Sequence, residues 1–359
     1  MKNHTCKRIL SVFCAVLELI MLTTITGCAG TNSEYRDFNF FAMDTYITIR
    51  LAAEKDDGTK LTDEYLNSVA DECASIISEL EGTLSAHSKN SDVYALNSGV
   101  DVMIKADKTL LSLLDTADTI SELTNGAYDY TLGSVTELWD PKKAAVPSKA
   151  DVLKALEHTG SDKLMIVNQT IRKLDPDTKI DFGGIGKGVA AQMLLEYLYT
   201  TDVSYGLVSL GGNIGVYGEK PEYGNYKIGI RDPDESDKVI GYMYIKSGFV
   251  SVSGDYERYF EADGVRYHHI IDPSTGYPAD SGVRSVAVHT SNGASSDALS
   301  TALFVLGVDK SLELYAEGSL SFEAVFVTDD GKIVTTPGIT DEIFEVSGSK
   351  YRIESHNKQ

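Results

Sequence analysis

The sequence predicts an α+β fold in which antiparallel-rich sheets are flanked by helices. Two periodicities alternate along the chain. Apolar residues recur at helical spacing over residues 61–84 and 105–123, whereas apolar and polar residues alternate, as in a half-buried strand, over residues 46–49. With 359 residues and a hydrophobic content of 42%, the chain is long and apolar enough to enclose a large core.

The order of helices and strands follows from the apolar period and from the Gly, Pro, Asn and Asp residues that bound each segment. The first half contains a strand at 40–51, a helix at 61–84, a polar loop with a helical turn at 84–97, a helix at 105–123, an irregular segment at 125–139, a helix at 151–158 and paired strands at 165–167 and 171–174. The second half contains a glycine-rich turn, a helix at 188–199, strands at 203–217, 226–230, 239–245 and 249–252, a turn at 272–276, and strands at 285–289 and 324–327 around a helix at 295–307.

The first 27 residues are predicted to be an export signal that is not part of the fold. Basic residues precede a short apolar run, which ends in small residues directly before Cys28. This pattern is typical of a signal peptide and is too short for a comfortable membrane span. The end of the segment resembles the bacterial lipobox, which implies that Cys28 is acylated, for example with palmitate. An ordinary signal peptide with an incidental cysteine is the alternative.

This interpretation divides the chain into a signal peptide at 1–27, a tether at 28–37 and one folded domain at 38–359. The protein is then expected to be exported and lipid-anchored at the outer face of the bacterial cell membrane, or to be periplasmic. Only Cys73 remains inside the domain, on the apolar face of a predicted helix. A lone buried thiol forms no intrachain disulfide, so the core must hold the fold together.

The charge balance of the chain is strongly acidic. The formal net charge is −21, and loss of Lys2, Lys7, Arg8 and Glu18 with the signal removes two net positive charges and leaves −23. Such a protein repels nucleic acid, and an anionic substrate needs a cation as an intermediary. The composition therefore excludes nucleic acid as a partner and favours a metal ion.

The predicted helix at 295–307 carries an acid and a hydroxyl on one face. Asp297 and Thr301 are four residues apart and lie one turn from each other. Their oxygens are ligands that suit a Mg²⁺ ion carrying substrate phosphates. The alternative is that Asp297 caps its own helix through the N–H groups of the first turn.

A glycine-rich turn precedes the helix at 188–199. Glycines before a helix let backbone N–H groups approach an anion, and Lys187 adds a positive charge. The spacing fits neither the phosphate-loop motif nor the dinucleotide-binding fingerprint. A tight strand-to-helix turn without a ligand is the alternative.

His268 and His269 stand at the end of a β-rich segment, just before the turn at 272–276. Adjacent residues of a strand face opposite sides, so the two rings do not readily serve one site. One ring is expected to be packed or on the surface, and the other is a candidate acid, base or phosphate contact.

Taken together, eight segments occur in the order typical of one family and span residues 38–345. They are Met43 to Thr45, Leu84 to Asn97, Asn125 to Trp139, Asp181 to Ala190, Gly211 to Asn213, Ser251 to Tyr256, His268 to Gly276 and Asp297 to Gly307. The chain thereby resembles the ApbE family, flavin transferases that move FMN from FAD onto a Thr or Ser of an acceptor protein. The resemblance implies a two-lobed fold with the site between the lobes.

The resemblance also implies roles for individual residues. Mg²⁺ is expected at the side chains of Asp297 and Thr301 with backbone oxygens of Gly186 and Ser300. FAD, the substrate, is expected to contact Met43, His87, Ala127, Tyr128, Asp129 and Ile271, with its pyrophosphate at Gly183, Gly184 and Lys187. His269 is expected to assist the acceptor hydroxyl.

The reaction so implied is attack of a protein hydroxyl on the FMN phosphorus, which forms a phosphoester and releases AMP. Two alternatives stay open. If water enters in place of the hydroxyl, the same site is an FAD pyrophosphatase that yields free FMN and AMP. A lipoprotein that binds flavin without turnover is the third reading.

Overall fold

The computed structural model describes residues 35–55, 57–99, 101–141, 144–220 and 224–355. The chain from Tyr35 onward forms one compact unit. The first strand begins at Tyr35, so the last three residues of the predicted tether belong to a strand. The predicted signal peptide and Cys28 lie outside the described residues. In the part of the chain that is described, no helix is both long and apolar enough to cross a membrane.

Helices and strands follow one another much as the sequence predicts. The described helices are α1 (Asp63–Leu84), α2 (Asp92–Ser98), α3 (Lys108–Leu123), α4 (Gly133–Thr136), α5 (Lys149–Leu156), α6 (Gly186–Leu198) and α7 (Gly293–Glu317). The described strands are β1 (Tyr35–Ala42), β2 (Thr45–Ala52), β3 (Met103–Lys105), β4 (Leu164–Val167), β5 (Thr170–Lys173), β6 (Gly206–Leu210), β7 (Asn213–Tyr217), β8 (Tyr226–Arg231), β9 (Val239–Ile245), β10 (Gly248–Gly254), β11 (Tyr259–Ala262), β12 (Val265–His268), β13 (Val283–Thr290), β14 (Glu323–Thr328), β15 (Lys332–Thr335), β16 (Phe344–Val346) and β17 (Arg352–Ser355).

A nine-stranded sheet forms the centre of the fold. Its strand order is β1-β2-β6-β7-β10-β13-β14-β15-β17, and every neighbouring pair is antiparallel except β15 with β17. Three smaller antiparallel sheets have the orders β16-β9-β8, β3-β5-β4 and β11-β12. The predicted α+β class with antiparallel-rich sheets is confirmed.

The two faces of the large sheet belong to different hydrophobic clusters. Along β13, Val286 and Val288 join the main cluster, whereas Ala287 joins a second one. Alternate residues of a strand point to opposite faces, so one buried strand serves both. Helices α1, α3, α6 and α7 contribute to the main cluster, and strands β8, β9 and β16 contribute to the second.

Helices α6 and α7 approach each other closely, and glycine makes this possible. A β-carbon at Gly188 would overlap the carbonyl oxygen of Gly293 and lie 2.6 Å from Cβ of Asp297. The absence of side chains at both glycines brings the first turns of the two helices together. This contact carries Asp297 to the start of α6.

Helix α7 is longer than predicted and changes direction in the middle. It begins at Gly293 and ends at Glu317, with a break at Gly307, where φ is 78°. The predicted end at residue 307 therefore marks a kink that glycine permits, after which the helix continues. The half that precedes the kink carries Asp297 and Thr301.

A third hydrophobic cluster surrounds the only tryptophan. Trp139 stacks on Tyr267 with ring centroids 5.6 Å apart, and its Nε1 donates a hydrogen bond to the carbonyl of Gly276 at 2.8 Å. Ile271 is 5% exposed within the same cluster. The irregular segment that precedes α5 is thus fixed to the turn at residues 272–276.

Candidate functional site

The glycine-rich turn before α6 is held by side chains on either side of it. Asp181 accepts hydrogen bonds from the backbone N–H of Gly183 at 2.8 Å and from Thr136 Oγ1 at 2.9 Å. The side-chain amide of Asn97 donates to the carbonyl of Ile180 and accepts from its N–H, both at 2.8 Å. Such bonds hold irregular backbone in one conformation. The turn therefore enters α6 in a defined geometry.

Asp297 does not cap its own helix, so that alternative is wrong. Asn292 is the N-cap of α7 and accepts a hydrogen bond from the N–H of Ser295 at 2.8 Å. Asp297 instead reaches α6, where its Oδ2 accepts from the N–H of Gly188 at 2.9 Å. Its side chain is 4% exposed, and no lysine or arginine among the described residues forms an ion pair with it. A buried carboxylate without a counter-charge is costly unless a cation joins it.

Thr301 lies against the glycine turn, one helical turn beyond Asp297. A β-carbon at Gly184 would be 3.0 Å from Thr301 Oγ1 and 3.3 Å from Cε2 of Tyr128. Only glycine fits there without displacing its neighbours. The structure therefore brings Asp297, Thr301, Tyr128 and Gly184 together, from three segments far apart in sequence.

The hydroxyl of Tyr128 has no hydrogen-bond partner among the described residues, although the side chain is 3% exposed. Burial raises the pKa of this hydroxyl well above its usual value, and the negative charge of Asp297 raises it further. The phenol is therefore a neutral donor at physiological pH. A buried polar atom that lacks a partner indicates a missing ligand or water.

Gly186, which the family resemblance assigns to the metal, has different neighbours from Gly184. The side-chain atoms nearest to a β-carbon at Gly186 would be Met43 Cε at 3.7 Å and Leu84 Cδ1 at 3.8 Å. It is Gly184 that packs against Thr301. The role of Gly186 as a metal ligand stays a prediction.

Ser300, the other predicted backbone ligand, is fully buried. Its hydroxyl donates to the carbonyl of Asp297 and pairs with Ser253 Oγ, both at 2.8 Å. The side chain thus fixes α7 to strand β10. The predicted metal contact of Ser300 finds no support in these bonds and stays a prediction.

Two backbone donors of the glycine turn have no hydrogen-bond partner among the described residues. Within the described hydrogen bonds, none engages the N–H of Gly184 or of Lys187, whereas the N–H of Gly183 is used by Asp181. Free N–H groups at the start of a helix attract anions. Gly184 and Lys187 are therefore available for the predicted pyrophosphate contact, and the N–H of Gly183 is not.

The two adjacent histidines have different environments. His268 is 8% exposed, its Nε2 lies 3.0 Å from the carbonyl oxygen of Ala279, and its Nδ1 accepts from the N–H of Ile270 at 3.3 Å. Both ring nitrogens are satisfied when the ring is neutral with its proton on Nε2. His268 is therefore a structural residue.

His269 is exposed, and its backbone N–H donates to the carbonyl of Arg258 at 3.0 Å. Loss of hydration inside the surrounding protein, together with the positive charges of Lys187 and Arg258, lowers the pKa of the imidazole to about 4. The ring is thus neutral at pH 7 and reachable from solvent. Of the two histidines, His269 is the one suited to proton transfer.

A charged segment that sequence reasoning left without a role lies beside His269. Glu257 Oε1 would be 3.7 Å from a β-carbon at Gly212, and burial raises the pKa of Glu257, an effect that Lys187 opposes. Arg258 forms an ion pair with Asp44 at 3.0 Å. Glu257 and Arg258 carry opposite charges directly after the segment 251–256, and this is the sequence signal by which they could have been recognised.

Asn213 is another buried residue with an unpartnered atom. It is 2% exposed, and its Oδ1 has no hydrogen-bond partner among the described residues. The preceding Gly211 and Gly212 have φ values of 53° and 91°, which favour glycine. The segment 211–213 had been singled out by the family resemblance without a role for Asn213.

Met43 and Asp44 form the two-residue turn between β1 and β2. Their φ values are 51° and 57°, as a type I′ hairpin turn requires. Asp129 Oδ1 accepts bonds from the N–H and hydroxyl of Thr131 at 2.7 and 2.6 Å, so this carboxylate holds a local turn. The predicted FAD contacts of Met43 and Asp129 stay predictions.

A cavity of about 360 Å³ adjoins the segment that contains Ala127. Its volume is within the range of small-molecule sites. The lining residues are Leu123, Thr124, Asn125, Gly126, Ala127, Asp272, Ser274, Val305, Leu306, Lys310, Glu313, Leu314 and Glu317.

His87 and Ile271 are the remaining predicted contacts of FAD, and few described contacts connect them to the residues around Gly184. The side chain of His87 is exposed, and its N–H donates to Ser85 Oγ at 3.3 Å. Ile271 directs its side chain into the cluster around Trp139. Neither role is tested by these contacts.

Comparisons with known proteins agree with one another. A model of the ApbE family matches residues 43–326. An FAD:protein FMN transferase of Treponema pallidum is 33% identical over 299 residues, which cover 77% of this chain and 82% of the relative. An FAD:protein FMN transferase of Klebsiella pneumoniae is 30% identical and covers 72% of this chain and 82% of the relative.

Solved structures show the same likeness. The crystal structure of the ApbE protein of Thermotoga maritima has a TM-score of 0.75 and 34% identity, over 84% of this chain and 97% of that chain. The apo form of the flavinyl transferase ApbE of Pseudomonas stutzeri has a TM-score of 0.73 and 28% identity, over 88% of this chain and 98% of that chain.

Proposed function

The chain belongs to the ApbE family, as its ordered motifs predict, and on that premise we propose that it transfers FMN from FAD to an acceptor protein. The acceptor group is a Thr or Ser hydroxyl, the new bond is a phosphoester, and AMP is released. Relatives that bear the name FAD:protein FMN transferase support the transfer. The acceptor residue, the metal and the leaving group are supported by the chemistry of the site.

One observation carries the proposal. Thr301 and Tyr128 pack against Gly184, and Asp297 binds the N–H of Gly188 in the first turn of the helix that follows. Among the described residues, no hydrogen bond engages the N–H groups of Gly184 and Lys187 or the hydroxyl of Tyr128. Acidic and hydroxyl oxygens next to anion-binding donors form a site for a cation and a phosphate together. A purely structural turn would not need a buried carboxylate without a counter-ion and a buried phenol without a hydrogen-bond partner, as found among the described residues.

The donor set fits Mg²⁺. Asp297 supplies a buried carboxylate without a described counter-ion, Thr301 supplies a hydroxyl, and the backbone of Gly184 lies beside it. These are hard oxygen ligands, and a site with few protein ligands suits Mg²⁺, which keeps waters and binds substrate phosphates. When bound there with FAD, Mg²⁺ would neutralise charge on the pyrophosphate oxygens.

The residues of the chain bind and orient the pyrophosphate. The N–H groups of Gly184 and Lys187, with the ammonium of Lys187, provide positive potential at the start of α6. Asp181 keeps the turn in shape, because it accepts from Gly183 and Thr136. Charge that develops on the phosphoryl oxygens is thus met by donors that are already in position.

His269 is the group that takes the proton of the acceptor. Its neutral imidazole accepts the hydroxyl proton as the oxygen forms a bond to the FMN phosphorus, while the bond from that phosphorus to the AMP oxygen breaks. The exposure of His269 lets a hydroxyl on another protein reach it. His268 has no such role because both of its nitrogens are engaged.

Hydrolysis of FAD is the second candidate, and the same exposure of His269 favours it. Water can occupy the position of the acceptor hydroxyl when no acceptor protein is bound. The products would then be free FMN and AMP. We propose further that the enzyme is exported and anchored through lipid on Cys28 at the outer face of the cell membrane, or is periplasmic, as the N-terminal sequence indicates.

The test uses the chain from residue 28 with FAD, Mg²⁺ and candidate acceptor proteins. Transfer predicts a flavin-fluorescent acceptor band that survives denaturation and an acceptor mass increased by one FMN. The absence of such a band with every exported candidate would refute transfer. Omission of Mg²⁺ should abolish the band if the metal assignment is right.

Product analysis separates the other readings. Free FMN and AMP without labelled protein indicate hydrolysis, and intact FAD after long incubation with Mg²⁺ indicates binding without turnover. Labelling of intact cells with a membrane-impermeant reagent tests whether the protein is exported. Cell fractionation of the wild-type protein and of Cys28→Ala tests the predicted lipid anchor. The Cys28→Ala protein should leave the membrane fraction.

A further inference from the structure

A histidine and two aspartates meet at the surface, ahead of the glycine turn. His158 follows α5, and Asp175 and Asp177 flank Pro176 in the loop after β5. His158 Nδ1 lies 2.8 Å from Asp175 Oδ2, and its Nε2 lies 3.8 Å from Asp177 Oδ2. These three side chains have ligand atoms within 4.8 Å of one another.

Asp175 determines which nitrogen of His158 carries the proton. Its Oδ1 accepts from the backbone N–H of Asp177 at 2.9 Å, and its Oδ2 accepts from His158 Nδ1. The hydrogen bond with His158 is the main cause that lowers the pKa of Asp175. A neutral His158 therefore has its proton on Nδ1 and a lone pair on Nε2.

That lone pair faces a carboxylate. Asp177 Oδ2 is 3.8 Å from Nε2, so two electron-rich atoms oppose each other across a gap. A bridging water that donates to both atoms, or a positive charge between them, makes such an arrangement favourable. The charge is either a second proton on the ring or a metal ion.

The neighbouring lysines have other hydrogen-bond partners. Lys163 donates to the carbonyl of Glu157, Lys173 donates to the carbonyls of Asn97 and Pro176, and Lys179 pairs with Glu137. Among the described residues, no lysine or arginine forms an ion pair with Asp175 or Asp177. Lys163 and Lys173 act on these carboxylates only from a distance, so no lysine occupies the position between His158 Nε2 and Asp177 Oδ2.

We propose that His158 Nε2 and the carboxylate of Asp177 bind a divalent transition-metal ion, with Zn²⁺ as the type, and that Asp175 orients the imidazole. Zn–N and Zn–O bonds of about 2.0–2.2 Å place tetrahedral ligands roughly 3.4 Å apart, so the gap between the two atoms needs only a small movement. Asp177 can make it, because its side chain is 71% exposed. Solvent supplies the remaining ligands.

The ligand types distinguish this site from the one proposed for Mg²⁺. An imidazole nitrogen suits Zn²⁺, Cu²⁺ or Ni²⁺, whereas Mg²⁺ prefers oxygen ligands in octahedral geometry. The carboxylate that accepts from the other ring nitrogen is the usual partner of a metal-bound histidine. The two sites should therefore bind different ions.

The bound ion would stabilise the approach to the glycine turn. Thr178 Oγ1 donates to the carbonyl of His158 at 2.8 Å, and Ser134 Oγ donates to the carbonyl of Asp177 at 3.1 Å. A metal bond between His158 and Asp177 adds to these bonds, which connect α4 and the end of α5 to the segment that leads into Asp181. The expected role is structural and does not depend on the transfer reaction.

The experiment is a calorimetric titration of Zn²⁺ into the chain from residue 28, free of affinity-tag histidines, in millimolar Mg²⁺. One Zn²⁺ should bind the wild-type chain. His158→Asn should weaken binding at least 100-fold, and Asp177→Asn should weaken it at least 10-fold. Asp175→Asn should weaken it about 10- to 100-fold, the usual effect of losing an orienting carboxylate.

Two matched controls make the result specific. Asp71→Asn removes one exposed carboxylate from α1 and should leave Zn²⁺ binding unchanged. Asp297→Asn should also leave it unchanged, because that carboxylate belongs to the separate Mg²⁺ site. Zn²⁺ should raise the unfolding temperature of the wild-type chain and not that of His158→Asn.

The proposal is overturned if Zn²⁺ binding survives His158→Asn, or if no binding tighter than millimolar is found. It is also overturned if nitrogen NMR shows both ring nitrogens of His158 protonated at pH 7 in the presence of Zn²⁺. A proton would then fill the gap, and the group would be an ion triad only. Failure of FMN transfer would not bear on these outcomes.

Discussion

Replacement of Asp297 by Asn should separate the charge of this residue from its structural bond. Asparagine has nearly the same size, and its side-chain oxygen can accept the hydrogen bond from Gly188, which is 2.9 Å long in the wild-type chain. The contact between α7 and α6 is thereby kept. What is lost is a negative charge that is 4% exposed and has no counter-ion among the described residues.

The two properties should change in opposite directions. Without Mg²⁺, Asp297→Asn should be as stable as the wild-type chain or more stable by about 1–2 kcal/mol, because an uncompensated buried charge is removed. Asp297→Ala should instead lose about 1–3 kcal/mol, because the N–H of Gly188 is left unpaired. Both variants should lose transfer activity by roughly 10²–10³-fold, the usual cost of one stabiliser of transition-state charge.

Urea unfolding with and without Mg²⁺, alongside the fluorescent transfer assay, measures these effects. Mg²⁺ at 100 times its dissociation constant should stabilise the wild-type chain by about 2.7 kcal/mol and neither variant. The reasoning is refuted if Asp297→Asn keeps more than a tenth of wild-type activity. It is equally refuted if Mg²⁺ stabilises Asp297→Asn as much as the wild-type chain.

Three further predictions concern a catalytic group, an ion pair and a helix contact. His269→Asn should reduce transfer about 10²–10⁴-fold. Because the pKa of His269 is about 4, the rate of wild-type transfer should fall only as the pH drops toward 4. A pH–rate profile that declines between pH 7 and 6 would contradict this assignment. Arg284 pairs with Asp255 at 2.5 Å with both side chains largely buried, so Arg284→Met should cost about 3 kcal/mol in urea unfolding, and no loss would show that the pair is unimportant. Gly188→Ala should destabilise the protein by about 1–3 kcal/mol, because the new methyl group overlaps α7. Gly82→Ala, at an unobstructed position in α1, should instead stabilise it by about 0.5–1 kcal/mol. Equal urea-unfolding midpoints for the two variants would rule out the steric argument.

The sequence by itself determined the features that depend on neighbours along the chain. The helical period predicted α1, α3 and α6 within a few residues, and Cys73 is buried on the apolar face of α1 as expected. The spacing of four residues placed Asp297 and Thr301 on one helix face, and they do lie together beside the glycine turn. Such patterns follow from the geometry of a single element.

The partners of these residues could be decided only by the tertiary structure. Asp297 was expected either to cap its own helix or to bind metal, and it bonds to the first turn of α6, which precedes it by 109 residues. Gly184 rather than Gly186 packs against Thr301, because the helix contact fixes how the turn is rotated. His268 and His269 were equivalent in the sequence until packing enclosed one of them.

The charged groups outside the predicted motifs show the same limit. His158, Asp175 and Asp177 come from two separate loops, and no spacing along the chain links the histidine to the aspartates. Local spacing reports which residues share a face. Long-range packing decides which faces meet, because it depends on the close fit of side chains and glycines from distant segments.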